Sequence, residues 1–219
     1  MFQYAATYAS DIAGYDSAWY NENRAAWVLR ALRAEYLHPA FENEVLDIET
    51  WLSDVKRVRG FREYVVRRQF DNTVIALGQA DWVYVDRNTL TPMRIPSQAI
   101  EQFKNEPNTS SGMSVWECGE VKHEMTRYER TAQYHEIDMM NHVNNAVYFE
   151  WFEQAWAQAT GQPPANITGN AVEFIRGAQL GDTLLITSQA TSNGVWKQEI
   201  RLANSNDLIA TSQLRICGS

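Results

Sequence analysis

The feature that most constrains this chain is a pattern written twice. Asn72-Thr73-Val74-Ile75-Ala76 lines up with Asn206-Asp207-Leu208-Ile209-Ala210, and Gln79 with Gln213. In each half, the spacing of apolar residues predicts a long buried helix followed by strands. The first helix is expected over residues 23–37, with Trp27, Leu29, Ala31, Leu32 and Tyr36 as its apolar positions. The second is expected over residues 144–159, where Tyr148, Phe152, Ala155, Trp156 and Ala159 recur at helical spacing. Asn144 or Asn145 is its expected N-cap, and Gly161 with Pro163-Pro164 closes it. Predicted strands follow at residues 44–57, 62–70 and 73–86, and again at 171–176, 183–190, 195–202 and 208–216. Asp71-Asn72 and Asn193-Gly194 supply hairpin turns. Residues 104–120, with Pro107, Asn108, Ser110, Ser111 and Gly112, read as a linker between repeats at 1–103 and 121–219. A short strand, a long helix and an antiparallel meander imply an α+β unit, a helix wrapped by a curled antiparallel sheet. Neither half covers its own sheet edge, so the halves are expected to pair side by side.

Composition narrows the function. With 219 residues, 45% hydrophobic and 21% charged, the chain has the makings of a packed core. No apolar run approaches a membrane span, and Met1-Phe2-Gln3-Tyr4 does not open a signal peptide, so a soluble cytoplasmic protein is expected. Cys118 and Cys217 are far apart and form no CxxC pair, which argues against a disulfide framework or a cysteine zinc site. Cys217 has no neighbouring base that would make it a nucleophile. His123, His135 and His142 lack the helical i, i+4 spacing of a metal pair, so neither metal nor cofactor is expected. A net charge of −8 speaks against nucleic acid as a partner. Lys56, Arg57, Arg59, Arg62, Arg67 and Arg68 nevertheless concentrate positive charge in one stretch. It reads as a solvated face of two strands around Gly60 or as a contact for phosphates or an acidic surface. Eight Trp suit a core or an apolar ligand tunnel.

The chemistry concentrates between Tyr134 and Tyr148. Asp138, Asn141, His142, Asn144 and Asn145 fall just ahead of the second helix. A helix start offers free N–H groups and the positive dipole end, able to hold a carbonyl oxygen that gains negative charge. Asp138 stands at the right sequence distance to meet that carbonyl or an attacking water. The competing reading is that Asp138 and the asparagines only cap the helix.

Asp138 through Tyr148, continuing into Phe149-Glu150-Trp151-Phe152-Glu153, resembles the hotdog-fold thioesterase signature D-x-D-x-x-G-H-V-N-N-x-x-Y. Ala80 to Asp86, followed by Pro92-Met93-Arg94-Ile95-Pro96, resembles the late strands of that superfamily. Two such halves resemble the acyl-ACP thioesterase family, a tandem double hotdog. The resemblance implies hydrolysis of an acyl-ACP or acyl-CoA thioester to a free carboxylic acid, as in fatty acid biosynthesis. The implied partner is an acyl carrier protein or coenzyme A, and the implied assembly a pseudo-dimeric monomer or a homodimer. Asp138 would act as general base on water or as a nucleophile giving an anhydride, with Asn144 and Asn145 N–H groups as the oxyanion hole. His142 and Asn141 would contact the thioester or orient Asp138. Arg57, Arg59, Arg62, Arg67 and Arg68 would meet coenzyme A phosphates or the carrier protein, and Trp19, Trp27 or Trp51 would line an acyl tunnel.

The sequence also departs from the family. Glu136 stands where the superfamily often has its first Asp, and Asn141 replaces the common Gly. The family's Asn falls on Met140, and its catalytic Glu falls near Gly177. Asp138 alone at a helix start looks more like the simpler acyl-CoA hotdog enzymes. In the first half Asp16 is expected to align with Asp138, with Trp19 or Tyr20 at the His position, so one active site is expected, in the second half. A non-catalytic acyl-thioester-binding protein and a specialised polyketide-releasing protein stand as alternatives.

Overall fold

The computed structural model describes residues 1–103, 106, 111–113, 116, 119–121, 125–163 and 167–217. Most of the expected linker, with Pro107, Asn108 and Ser110, lies outside the described residues, as do Cys118, His123 and Pro164. The chain divides into two compact units, residues 1–114 and 115–219. Among the described residues, no helix is long and apolar enough to cross a membrane.

The first unit begins with α1 (Phe2–Ile12) and the short α2 (Ser17–Glu22). Four strands follow, β1 (Ala25–Tyr36), β2 (Leu46–Lys56), β3 (Arg59–Arg68) and β4 (Val74–Asp86), and then α3 (Ser97–Gln102). The strands form an antiparallel sheet in the order β2-β3-β4-β1. Phe2 of α1 lies against this sheet. Its ring stacks 4.8 Å from Tyr64, and a Cβ at Gly78 would fall 2.8 Å from it, so the close approach of α1 requires glycine there.

The helix expected at residues 23–37 is strand β1. A β-bulge accounts for the helix-like spacing. Leu29 pairs with Trp82 and Ala31 with Asp81, which leaves Arg30 as an extra residue. The positions on the face of Trp82 and Ala80 therefore run Trp27, Leu29, then Leu32 and Ala34. That spacing breaks the strand period of two and imitates a helical stripe. Ala, Leu, Arg and Glu in the segment also favour helix locally, and pairing with β4 along its whole length overrides them.

The second unit contains β5 (Thr126–Thr131), a 3-10 turn at Tyr134–Glu136, α4 (Asn145–Thr160), and strands β6 (Ile167–Phe174), β7 (Thr183–Ala190), β8 (Val195–Leu202) and β9 (Leu208–Ile216). Its antiparallel order is β6-β9-β8-β7-β5. Helix α4 begins at the Asn144 cap, whose side chain accepts the Ala146 N–H, and stops at Gly161 in the left-handed conformation. Tyr148, Trp151, Phe152, Ala155 and Trp156 form its buried stripe. Gln198 ties helix to sheet from below, donating to the Phe152 carbonyl at 2.8 Å and to Ser188 Oγ at 2.9 Å.

The repeat is present in the backbone. Asn72 and Asn206 both take positive φ, at 59° and 62°. The Ile75 carbonyl accepts the N–H groups of Leu37 and His38, and the Ile209 carbonyl accepts those of Ile175 and Arg176. The end of β1 thus corresponds to the end of β6, and α1 corresponds to α4. Asp16 then lies after the helix of its unit, where it caps α2 by accepting the Trp19 N–H at 2.8 Å. Its expected alignment with Asp138, which precedes a helix, does not hold.

Candidate active site

The segment ahead of α4 is a closed loop with Asp138 at its centre. Ile137 and Val143 form an isolated antiparallel bridge across its base. Asp138 N–H donates to the His142 carbonyl at 2.8 Å, and the Asp138 carbonyl accepts the Asn141 N–H at 3.1 Å. Asp138 Oδ1 accepts the Met140 N–H at 2.8 Å and the His142 N–H at 3.4 Å. Among the described residues Oδ2 has no hydrogen-bond partner. The carboxylate is half-buried, held by one oxygen and open at the other. Asn141 takes φ 60°, a conformation that favours glycine and that asparagine tolerates. The Asn-for-Gly departure therefore preserves the turn.

A second loop, following β6, is fastened to the first. Val143 N–H donates to the Ala178 carbonyl at 2.8 Å, and Ala178 N–H donates to the Tyr148 hydroxyl at 2.9 Å. Tyr148 is buried, and desolvation pushes its hydroxyl up to about 12, with the nearby charges of Asp182 and Asp138 adding to the rise. Gly177 is packed against the imidazole of His142: a Cβ there would lie 2.7 Å from Cδ2 and 2.9 Å from Cγ. The loop after β6 is thus held at Gly177 by contact with His142.

The two N–H groups expected to form the oxyanion hole divide. Asn144 N–H donates to the Glu136 carbonyl at 2.8 Å, so it is already engaged. Asn145 N–H, the first of α4, has no acceptor among the described residues. Asn141 is exposed and contributes its backbone turn. Met140 contributes its N–H to Asp138 and leaves its side chain partly exposed.

Glu136 is a residue whose role the sequence concealed. It is buried and accepts from Arg130, from the Gln133 N–H at 2.7 Å and from Trp151 Nε1 at 3.0 Å, while the Arg130 guanidinium lies 4.4 Å from the Trp151 ring centre. It braces the loop beneath Asp138. The capping-box spacing from Gln133 to Glu136 is the signal that was available.

The five arginines do not form one basic face. Strand β3 is regular, so Arg62 and Arg68 fall on the α1-facing side and Arg59 and Arg67 on the other. Arg59 pairs with Asp81, and Arg68 pairs with Glu44 at 2.8 Å and Asp71 at 3.3 Å. Arg57 is exposed, Arg67 half-buried and Arg62 buried. Trp19 and Trp27 do come together, in the core cluster of Tyr15, Leu52, Tyr84 and Phe103. Trp27 Nε1 donates to the Tyr20 hydroxyl at 3.0 Å, and Trp19 meets Tyr15 edge-on at 4.6 Å. Trp51 packs in a different cluster with Val65 and Leu77.

Comparison with known proteins covers nearly the whole chain. The family model "Acyl-ACP thioesterase N-terminal domain" matches residues 1–103, and "Acyl-ACP thioesterase C-terminal domain" matches residues 119–214. An oleoyl-acyl carrier protein thioesterase from the chloroplast of Coriandrum sativum is 24% identical over 136 residues, 57% of this chain and 37% of that protein. The chain therefore spans little more than a third of the length of that relative. Among solved structures, an acyl-ACP thioesterase from Bacteroides thetaiotaomicron superposes with a TM-score of 0.80 at 20% identity, covering 98% of this chain and 86% of the other. A 12:0-ACP thioesterase from Umbellularia californica gives 0.77 at 13% identity with the same coverage. At these identities the superpositions carry the fold alone, whereas the two family models match consecutive halves in the order that the family has them. On that match the chain belongs to the acyl-ACP thioesterase family.

Proposed function

We propose that this protein hydrolyses an acyl thioester, with an acyl carrier protein as the carrier, on a tandem double-hotdog scaffold whose single active site lies at the start of α4. The observation that carries the reading is the Asp138 carboxylate, pinned through Oδ1 by two backbone N–H groups with Oδ2 unengaged. A fixed carboxylate with one open oxygen suits a general base or a nucleophile. As base, it takes a proton from water while the water oxygen bonds to the thioester carbon. Negative charge moves onto the carbonyl oxygen, where the Asn145 N–H at the positive end of α4 receives it. The C–S bond then breaks, and the departing thiolate takes the proton back from Asp138. As nucleophile, Asp138 bonds to the acyl carbon, expels the thiolate and leaves an anhydride that water opens. His142, set by its contact with Gly177, lies on the same loop to orient the thioester.

The carrier is proposed from the family and from the names of its relatives, such as the oleoyl-acyl carrier protein thioesterase of Coriandrum sativum. Dispersal of the arginines over both faces of β3 weakens the expectation of a coenzyme A phosphate patch there. The deciding experiment is thiol release from matched acyl-ACP and acyl-CoA substrates of several chain lengths. Release from acyl-ACP at higher kcat/KM supports the proposal. No release from any substrate by the folded protein would move the reading to a non-catalytic acyl-binding protein.

A further inference from the structure

Arg62 lies on the α1-facing side of the first unit's sheet with only 6% of its surface exposed. Its neighbours there are apolar or aromatic. It sits opposite Leu52 and Ala80 in the strand registers, and the Phe103 ring centre is 5.8 Å from its guanidinium carbon. Among the described residues its one hydrogen bond runs from Nη1 to Thr50 Oγ1 at 3.3 Å. Among the described residues no carboxylate pairs with it. The contrast with its neighbours is sharp: Arg59 has Asp81, Arg68 has Glu44 and Asp71, and Arg130 has Glu136. An arginine so deeply buried is ordinarily matched by an anion, because an isolated buried charge costs several kcal/mol.

The groups around it are donors too. The Tyr64 hydroxyl, two residues along β3 on the same face, is buried; its oxygen faces the indole N–H of Trp82, diagonal to Arg62 across the β3–β4 ladder, and its own O–H has no acceptor among the described residues. The Tyr20 hydroxyl close by is already satisfied. Ser10 Oγ–H donates to the Tyr15 carbonyl, which leaves Ser10 Oγ to accept from Tyr20, and Tyr20 accepts in turn from Trp27. A guanidinium and a phenol O–H thus share one apolar face without a matching anion among the described residues.

We propose that this face of the first unit is a carboxylate-binding site, in which Arg62 holds the carboxylate of an otherwise apolar molecule and the Tyr64 O–H supplies a further donor. Planar guanidinium matches carboxylate geometry, and the aromatic walls suit an apolar skeleton. Two sources have this chemistry: a free carboxylic acid, or the distal carboxylate of a dicarboxylic acyl group. The second source rests on the thioesterase reading, whereas binding of a free acid does not.

The test is a calorimetric titration of the whole protein with octanoate and with 1-octanol, which share a skeleton and differ in charge. Wild type is expected to bind octanoate at least about tenfold more tightly than octanol, the difference that one charge-assisted contact makes. Arg62→Met is expected to erase the difference while folding as well as wild type, since an apolar residue of similar volume often replaces a buried charge without loss. Tyr64→Phe, which removes one hydroxyl, is a second variant expected to weaken octanoate about threefold and leave octanol unchanged. Equal affinity for the two ligands, or an undiminished octanoate preference in folded Arg62→Met, would overturn the proposal. Thiol release from octanoyl and 7-carboxyheptanoyl thioesters then separates the sources. A wild-type preference for the carboxylated substrate that Arg62→Met abolishes assigns the site to the acyl end. The same rate for both substrates, with octanoate still bound through Arg62, assigns it to a free acid. If neither thioester turns over, the titration still decides the site.

Discussion

His142 rests directly on the backbone of Gly177, with no room for a Cβ between the imidazole and the chain. The contact joins the loop that carries Asp138 to the loop where the family's Glu is expected, and it makes position 177 a test of His142. Gly177→Ala must push the ring away, because the new carbon would lie 2.7 Å from Cδ2. The expected result is a fall in turnover on the order of tenfold to a hundredfold, from misplacing one contact group. The thermal unfolding temperature should fall modestly, because His142 Cβ, 3.3 Å from the new carbon, does not move when the ring turns. Unaltered kcat and KM in Gly177→Ala would remove His142 from the reaction.

Tyr148 fastens the same pair of loops through its hydroxyl, which accepts the buried Ala178 N–H. Tyr148→Phe leaves that donor unsatisfied and should cost about 1–3 kcal/mol of stability. Urea unfolding of the variant against wild type measures it, with a lowered midpoint and an unchanged slope as the expected signature.

Glu136 and Asp138 are two residues apart and should respond oppositely to removal of their carboxylates. Glu136→Ala strips Arg130, Trp151 Nε1 and the Gln133 N–H of their acceptor. Breaking one side of a buried ion pair costs about 3–5 kcal/mol, so this variant should be severely destabilised. Urea unfolding checks it; a wild-type midpoint would contradict the bracing role.

Glu153 of α4 adds a pH dependence. Burial, aided by the charge of Glu150, pushes its carboxyl from 4.5 up to about 7. The folded state thus holds its proton where the unfolded chain releases it. The associated stability is present in full below about 4.5 and declines as pH rises through about 7. Unfolding midpoints measured across that window should fall with rising pH, and Glu153→Gln should flatten the slope.

Much of the second unit was legible in the sequence. Strands β7, β8 and β9 coincide with the segments expected at 183–190, 195–202 and 208–216, because turn residues bound them clearly. Helix α4 has the Asn144 cap and Gly161 stop that its residue types predict. In the first unit a single extra residue, Arg30, disguised β1 as a helix and shifted the alignment of everything before it. Strand β5, expected only as a short strand of no stated range ahead of the helix, was not placed because Thr126 to Thr131 buries little and shows no apolar alternation. The arginine stretch looked like one patch because residues close in sequence alternate across a strand, which placed Arg62 inside and Arg59 outside. The engagement of Asn144 N–H and the open oxygen of Asp138 depend on how two loops meet, which residue spacing does not encode.

The most direct test of the account is the turnover of an acyl-ACP thioester by wild type and by Asp138→Asn. Asparagine keeps an oxygen for the Met140 and His142 N–H groups, so the variant should unfold at the temperature of wild type. It lacks a carboxylate to activate water or attack, so thiol release should fall by at least about a hundredfold. That pair of results would tie the chemistry to Asp138. Thiol release by Asp138→Asn at the wild-type rate would contradict it.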